Sequence, residues 1–486
     1  MNRRLVAAVL GYLTISCGAA MMFPLLLAAI ERDPGSIAAF TLSIMLCLVT
    51  TFELEHYGRI KETDSLSIRE GIAVTGLGWL MVSLLGMIPY ATAGHLNLLN
   101  SIVESVSGFS GTGATVILDV ETIPHSVQLW RSLSNWVGGL GIIVIFMAIL
   151  PQAGKGAVYM FRAESTGPTK DRQMPRIRDN AKALFTVYVA FTLVCSIAYY
   201  LCGLTPFVAV NHAMTTIATG GYSVYNGTVA EYGNIWLEFV MSFFMVISSG
   251  SFAMYVMATR HGITTLFRNT EFRVFLWLIA IASILIAADL MVEMRIDMIT
   301  AIRYSVFHVT SLSSTTGFVS YDFDTWPPFA KGLLLMTMFL GGCAGSTAGG
   351  LKVSRIILLV KMVQSTLWQK LHPQMVSQVK MNGQVVPDEV LFGVARFFFA
   401  YVVLDIAFAF VMLADGLDLI DAVSVSVSTM GSVGPGFGIE GATSTYALLP
   451  DMSKAFACIF MFLARLEIFT VLAMFTTGFW GRKRGW

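Results

Sequence analysis

The chain has 486 residues, of which 56% are hydrophobic and only 13% charged, about half the charged share of an ordinary soluble protein. Three soluble domains, the usual reading of that length, are therefore excluded, and most of the chain is solvated by lipid. Lys and Arg number 31 against 30 Asp and Glu, a formal net charge of +1, so no global field argues for nucleic acid or an acidic substrate as partner.

Crossing a hydrocarbon core of ~30 Å takes about 20 apolar residues in a helix. Windows of that kind lie near 5–30, 36–54, 71–93, 127–150, 181–203, 234–258, 273–294, 330–350, 391–413 and 454–479, which predicts ten spans. The first is too long for a cleaved signal peptide and lacks a small-residue cleavage site. With both termini cytoplasmic, 24 of the 31 Lys and Arg fall in or at the edges of the inside segments, chiefly the basic loops 151–182 and 351–390; the positive-inside bias sets that orientation. Cys17, Cys47, Cys195, Cys202, Cys343 and Cys458 all sit in apolar stretches and are read as packing residues. The seven histidines are scattered, and no metal-ligand spacing is present. A membrane-embedded enzyme thus has little support, and no tightly bound cofactor is expected.

Between the third and fourth windows, residues 100–115 form a segment too short and too polar to cross, ending in a glycine cluster. The same layout returns at 211–223, 306–318 and 423–436. Taking Gly113, Gly220, Gly317 and Gly431 as equivalent gives separations of 107, 97 and 114 residues, a domain-scale repeat. A short helix that enters and turns back adds no crossing, so every unit has two crossings and all four face the same way. Such units pack around an axis along the membrane normal. Irregular backbone at membrane depth survives only when buried in protein or lining a water-filled cavity, so four such loops predict a pore. Glycine carbonyls can then ring a dehydrated monovalent cation, with the negative ends of the short helices aimed at it. The competing reading is that each cluster merely ends a helix in an external turn.

The predicted fold is an all-α polytopic membrane protein with ten transmembrane helices: four pseudo-symmetric span, pore helix, span repeats around one pore, plus two extra N-terminal helices. The units are 1–70 (two-helix unit), 71–180, 181–271, 272–389 and 390–486. The expected ion-binding residues are Gly111, Thr112 and Gly113; Ala218, Thr219 and Gly220; Thr315, Thr316 and Gly317; and Thr429, Met430 and Gly431.

Through these loops, the run Trp130 to Gly141, the run Gly341 to Lys352 and the sequence Ala464-Arg465-Leu466-Glu467, the chain resembles the Trk/Ktr/HKT superfamily of potassium transporters, and within it the bacterial TrkH/TrkG branch. The resemblance covers nearly the whole chain. It implies K⁺ uptake in the bacterial inner membrane by a homodimer with one pore per subunit, Rb⁺ as a stand-in for K⁺, and Na⁺ as a competitor. It also implies a cytosolic TrkA-type ring that binds nucleotides; this chain carries no nucleotide motif of its own. Glycine at all four filter positions resembles the K⁺-preferring members. The chain departs from the common pattern at Gly111, at Met430-Gly431-Ser432 and at Ala464.

The segment from Leu340 to Lys352 interrupts a span with Gly341, Gly342, Gly345, Gly349 and Gly350 around Ser346 and Thr347. At about 1 kcal/mol per Gly relative to Ala in a helix, it is predicted to be an irregular loop beneath the filter that gates the path; close helix packing through small residues competes. It is not a phosphate loop, because Leu351 separates Gly350 from Lys352. A charge at mid-span costs at least ~2.5–3.5 kcal/mol, so Arg465 needs a compensating role. The resemblance implies that it faces the pore beside the gate loop; an ion pair with Asp405 is the alternative. Asp405 is also a candidate proton-coupling group, a single acid without a visible relay. Arg131, Glu238 and Lys331 are expected to anchor span ends at the interface. Glu104, Asp119, Glu121, Asp322, Asp324, Asp415, Asp418, Asp421 and Glu440 make the outer side acidic, either to concentrate cations or as plain solvated loops. A proton-coupled K⁺ symporter, or a Na⁺-permeable transporter of the same fold, shares all these features. An organic-solute carrier would need a larger site at the midplane.

Overall fold

The computed structural model describes residues 1–58, 67–141, 177–374, 378–442 and 444–481. Two long helices open the chain, α1 (Arg3–Glu31) and α2 (Pro34–Tyr57). Asn2 starts α1 by accepting the Leu5 N–H, and Arg32 ends it in a left-handed conformation; Asp33 then caps α2, with Pro34 at its first position. Small residues let the pair approach closely. A Cβ on Gly18 would lie 3.1 Å from that of Cys47, and the hydroxyls of Thr14 and Thr51 are 2.8 Å apart.

The rest of the chain alternates long apolar helices with short ones. In order come α3 (Ile68–Gly86), α4 (Ile88–Thr92), α5 (Leu98–Ser110), α6 (His125–Leu140), α7 (Ile177–Leu201), α8 (Pro206–Ile217) and α9 (Ile235–Ser248). They are followed by α10 (Phe252–His261), α11 (Thr264–Arg268), α12 (Thr270–Glu293), α13 (Met298–Ser313), α14 (Pro328–Leu340) and α15 (Val353–Leu371). A hairpin of β1 (Lys380–Met381) and β2 (Gln384–Val385) precedes α16 (Asp388–Ala414), α17 (Leu419–Gly431), α18 (Asp451–Arg465) and α19 (Ile468–Met474). The short helices α5, α8, α13 and α17 have 13, 12, 16 and 13 residues, too few to cross at ~1.5 Å per residue. Each starts at a capping residue, Asn97, Thr205, Asp297 or Asp418. The Thr300 N–H and hydroxyl hold the Asp297 carboxyl below the usual carboxylate range.

Among the described residues six helices are long and apolar enough to cross a membrane, or eight if each of two bent pairs is one span. The ten windows thus need correction in detail. The window 234–258 is broken at Ser249–Ser251, where α9 and α10 meet at 90°; the window 454–479 is broken at Leu466–Glu467, where α18 and α19 meet at 116°. The window 330–350 stops at Leu340. In the fourth window α6 ends at Leu140, followed by Gly141 at φ 86°; residues 142–150 and most of the basic loop 151–182 lie outside the described residues. Hydropathy averages over side chains, so a bend inside an apolar run is invisible to it. Local hydrogen bonds make the bend affordable: the Tyr255 hydroxyl donates to the Ile247 carbonyl across the first break at 2.6 Å.

The short helices are buried among the long ones. On α5, Val103, Val106 and Phe109 are all buried, and α6 lies so close that a Cβ on Gly138 would sit 2.0 Å from the Phe109 carbonyl oxygen. Gly138→Ala is expected to destabilise the fold by about 1–3 kcal/mol through overpacking against fixed backbone, read as a lower melting temperature in detergent. Gly393→Ala, on α16 with nothing within 4 Å of the added methyl, is the control; equal melting for the two variants would contradict this packing.

Candidate functional site

The four short helices end in the same way. Thr112, Gly220, Thr316 and Val433 each donate their N–H to the carbonyl five residues earlier, on Ser107, Thr215, Ser311 and Ser428, at 3.1, 2.9, 2.9 and 2.9 Å. That closure is the six-to-one bond of a Schellman motif. It needs a left-handed residue one position before the donor, and Gly111, Thr219, Thr315 and Ser432 supply it at φ 75°, 55°, 57° and 55°. One position after the donor comes a second left-handed residue, glycine every time: Gly113, Gly221, Gly317 and Gly434, at φ 76°, 64°, 79° and 97°.

This closure defines the register of the loops, and it differs from the register expected from glycine spacing. Gly221 rather than Gly220, and Gly434 rather than Gly431, occupy the places of Gly113 and Gly317. Ala218 caps its helix, and Thr429, Met430 and Gly431 form the last turn of α17. Where a loop holds several glycines, spacing alone cannot choose among them. The overlooked signal is a Ser or Thr exactly six positions before the glycine, whose carbonyl closes the helix.

These glycines also lie against one another in circular order. A Cβ on Gly113 would fall 2.0 Å from the Gly220 carbonyl oxygen, one on Gly221 1.7 Å from that of Thr316, one on Gly317 2.2 Å from that of Val433, and one on Gly434 2.7 Å from that of Thr112. First loop touches second, second touches third, third touches fourth, and fourth touches first. The carbonyls met are those of the four equivalent closing donors. No loop residue from 111 to 113, 219 to 221, 315 to 317 or 432 to 434 carries a charge, and the four helices point their partially negative ends at the ring. Such an arrangement offers backbone oxygen to a cation and nothing favourable to an anion.

Beneath the ring lies the segment 341–352. Gly341, Gly345, Gly350 and Lys352 all have positive φ, and the segment doubles back so that a Cβ on Gly341 would meet the Gly349 carbonyl at 2.3 Å. It touches the ends of three short helices. The Thr347 hydroxyl lies 3.0 Å from the Ile217 carbonyl and 3.2 Å from that of Ser248, the Gly349 N–H donates to the Thr315 hydroxyl at 2.7 Å, and Gly349 packs on the Gly431 carbonyl. The bend between α9 and α10 holds its near end: Cys343 N–H donates to the Ser249 carbonyl at 2.9 Å, and Phe252 N–H to that of Gly345 at 3.0 Å. The Glu271 carboxylate takes the N–H groups of Ala344 at 2.6 Å and Ser354 at 2.9 Å, tying both flanks to α12. Gly342 packs on Ala348, and the Ser346 hydroxyl donates to the Cys343 carbonyl at 2.6 Å.

Arg465 completes this lattice from the bend between α18 and α19. It donates to the Thr347 carbonyl at 3.3 Å, to the Gly139 carbonyl at 2.7 Å and to the Gly138 carbonyl. The segment is thus held by elements of the second, third and fourth repeats, and Arg465 links it to Gly138 and Gly139 at the end of α6. Asp405, weighed as its ion-pair partner, accepts instead from the Ser426 hydroxyl at 2.6 Å. Lys352, counted among the ordinary cytoplasmic cations, is buried and donates to the Ala348 carbonyl. Glu467 pairs with Arg355, whose guanidinium lies 3.6 Å over the Phe397 ring.

Several charges expected at interfaces or in solvated loops are buried or bound to partners inside the protein. Arg131 pairs with Glu104 at 2.7 Å, and both are nearly inaccessible. Glu238 takes Nε and Nη2 of Arg303. Lys331 donates to the Asp324 carbonyl at 2.8 Å. Glu440 is buried and accepts from the Ser424 hydroxyl. Solvated outer loops therefore do not describe the whole acidic set. Among the described residues no three His, Cys, Asp or Glu side chains are grouped to hold a metal ion.

Comparison with known proteins agrees with this architecture. A family model described as a cation transport protein, TrkH, matches residues 36–479. The Trk system potassium uptake protein TrkH of Halomonas elongata is 34% identical over 99% of this chain and 100% of its own length. TrkH of Escherichia coli K12 is 33% identical over 99% and 100%, and TrkG of the same organism 31% over 98% of each chain. The crystal structure of the potassium transporter TrkH from Vibrio parahaemolyticus superposes with a TM-score of 0.89 at 30% identity, covering 99% of this chain and 100% of that one. On its helical layout, its facing glycine loops and these full-length matches, the chain belongs to the TrkH family of cation transport proteins.

Proposed function

We propose that this chain carries K⁺ into the bacterial cell through the ring of four glycine loops. The circular order of loop contacts is the observation that carries the reading: four equivalent carbonyls adjoin one another, which a set of unrelated helix ends has no reason to produce. A ring of backbone oxygens replaces the hydration shell of a monovalent cation. The relatives are named as potassium uptake proteins, so K⁺ is the cargo, with Rb⁺ able to stand in and Na⁺ competing. In this reading the ion-binding residues are Gly111 to Gly113, Thr219 to Gly221, Thr315 to Gly317 and Ser432 to Gly434. The units 71–180, 181–271, 272–389 and 390–486 each supply a quarter of the pore, and 1–70 packs outside it.

The segment 341–352 is the gate, and Arg465 is its latch, a fixed cation that also raises the barrier below the ring. The protein sits in the inner membrane with both termini cytoplasmic, as the basic residues favour. It works as a homodimer with a TrkA-type nucleotide-binding partner docked on the cytoplasmic loops. Proton coupling at Asp405 is the rival mechanism.

Expression in a bacterium deprived of K⁺ uptake should restore growth at low K⁺. Gly434→Ala should abolish that rescue, because its methyl would enter the ring at a left-handed residue; Gly431→Ala, in a helical turn 3.0 Å from the nearest carbonyl oxygen, should retain it. The reverse order of severity would refute the register. Arg465→Ala removes charge-assisted hydrogen bonds, each contributing about 1.5–3 kcal/mol, so Rb⁺ flux into liposomes holding the purified variant should rise at least about tenfold. Unaltered flux with poor yield would make Arg465 structural only. Proton uptake measured alongside Rb⁺ separates symport from a channel.

A further inference from the structure

Each glycine loop leaves the ring past a side chain from the middle of its own short helix. In the first quarter Glu104, nine residues before Gly113, accepts the N–H of Val116 at 2.9 Å. In the third, His308 stands nine residues before Gly317, with Nε2 3.4 Å from the Ser320 N–H. In the second, His212 stands nine before Gly221, with Nε2 3.3 Å from the Ser223 hydroxyl. In the fourth, Val425 takes that place and its neighbour Ser424 accepts the Phe437 N–H at 2.7 Å. Two of the other posts are histidines and the last is Val425 with Ser424 beside it. Only the first is a carboxylate matched to a permanent cation.

That cation joins two quarters. Arg131 Nε donates to Glu104 at 2.7 Å, Nη2 to the Thr115 hydroxyl at 3.1 Å, and Nη1 to the Ser223 carbonyl, two residues past Gly221, at 2.9 Å. The Thr115 hydroxyl lies 3.1 Å from both Glu104 oxygens. The Tyr222 hydroxyl donates to the Glu104 carbonyl at 2.9 Å, and its ring lies 4.2 Å below the guanidinium. A buried ion pair is a poor source of stability, since desolvation consumes most of the attraction. What it supplies is fixed geometry: Arg131 is held by Glu104 and Thr115 on its own side, and two directed bonds, Arg131 to the Ser223 carbonyl and Tyr222 to the Glu104 carbonyl, lock the exit of the first loop against that of the second.

We propose that Glu104 and Arg131 are positioning residues for ion selection, holding the first two loops at the spacing that favours K⁺ over Na⁺. Neither touches the ion. The inference rests on the reading of the ring as the ion filter. If the loops can relax inward, their carbonyls follow the smaller ion and discrimination falls while passage continues. The brace prevents that relaxation at the junction of loops one and two.

The full-length protein, purified and reconstituted in liposomes, tests this by Rb⁺ uptake and its competition by Na⁺. Glu104→Gln and Arg131→Lys should still pass Rb⁺ but lose about tenfold in the Rb⁺ to Na⁺ ratio, and Thr115→Val, which keeps the shape and removes the hydroxyl that joins Glu104 to Arg131, about threefold. An unchanged ratio in Thr115→Val and in whichever of the two charge variants purifies overturns the proposal. Should neither charge variant fold, Thr115→Val and Tyr222→Phe decide it: a lowered ratio supports the brace and an unchanged one overturns it. Gly113→Ala separates the two levels. If it alters Rb⁺ flux while the brace variants keep the wild-type ratio, the brace fails and the filter stands; if it alters nothing, the ring is not the ion path and both readings fall.

Discussion

A main-chain N–H or carbonyl inside a membrane has no water to turn to, and leaving it unpaired costs several kcal/mol. This structure opens its helices at four loops, at two sharp bends and along the segment 341–352, all within a chain that is mostly apolar. The openings are tolerated because polar groups along them find partners inside the protein. The helix ends close on their own Ser and Thr carbonyls, the loops lie edge to edge in a ring, and the bend at Ser249 exchanges hydrogen bonds with Cys343 and Gly345. Irregular backbone therefore collects in one place. That clustering, more than any individual side chain, is what turns a bundle of helices into a possible route for an ion.

The same demand explains the cations gathered around the segment. Arg465, with five donors in a rigid fork, takes carbonyls from two separate elements. Lys352 serves a further carbonyl of the segment, that of Ala348. The guanidinium of Arg465 also lies 5.6 Å from the Trp79 ring centre, so its charge is met by backbone dipoles and an aromatic face together. Glu271 does the converse for exposed N–H groups at either flank.

Much of this was legible in the sequence because lipid exposure imposes long apolar runs and the short helices break them with Ser, Thr and Gly. The number of loops and the peculiarity of 341–352 both follow from that contrast. What escaped reading was whatever hydropathy averages away. The bends at Ser249–Ser251 and Leu466–Glu467 lie within windows whose average stays apolar, so the local marks, Ser248-Ser249-Gly250-Ser251 and the charges Arg465 and Glu467, are lost in the average. The register of the second and fourth loops was misjudged because Gly220 neighbours Gly221, and Gly431 competes with Gly434 and Gly436. Arg131 looked like an interfacial anchor because its partner Glu104 is 27 positions earlier on a helix that turns back, a proximity that only the folded chain creates.

The hydrogen bonds under the ring carry one further consequence. While the segment is seated, the Thr347 hydroxyl serves the Ile217 and Ser248 carbonyls, and the Thr315 hydroxyl receives the Gly349 N–H. Withdrawing it would strip these groups at a depth where lipid can offer nothing. Only solvent reaching the segment could replace them, so unseating and wetting must happen as a single event.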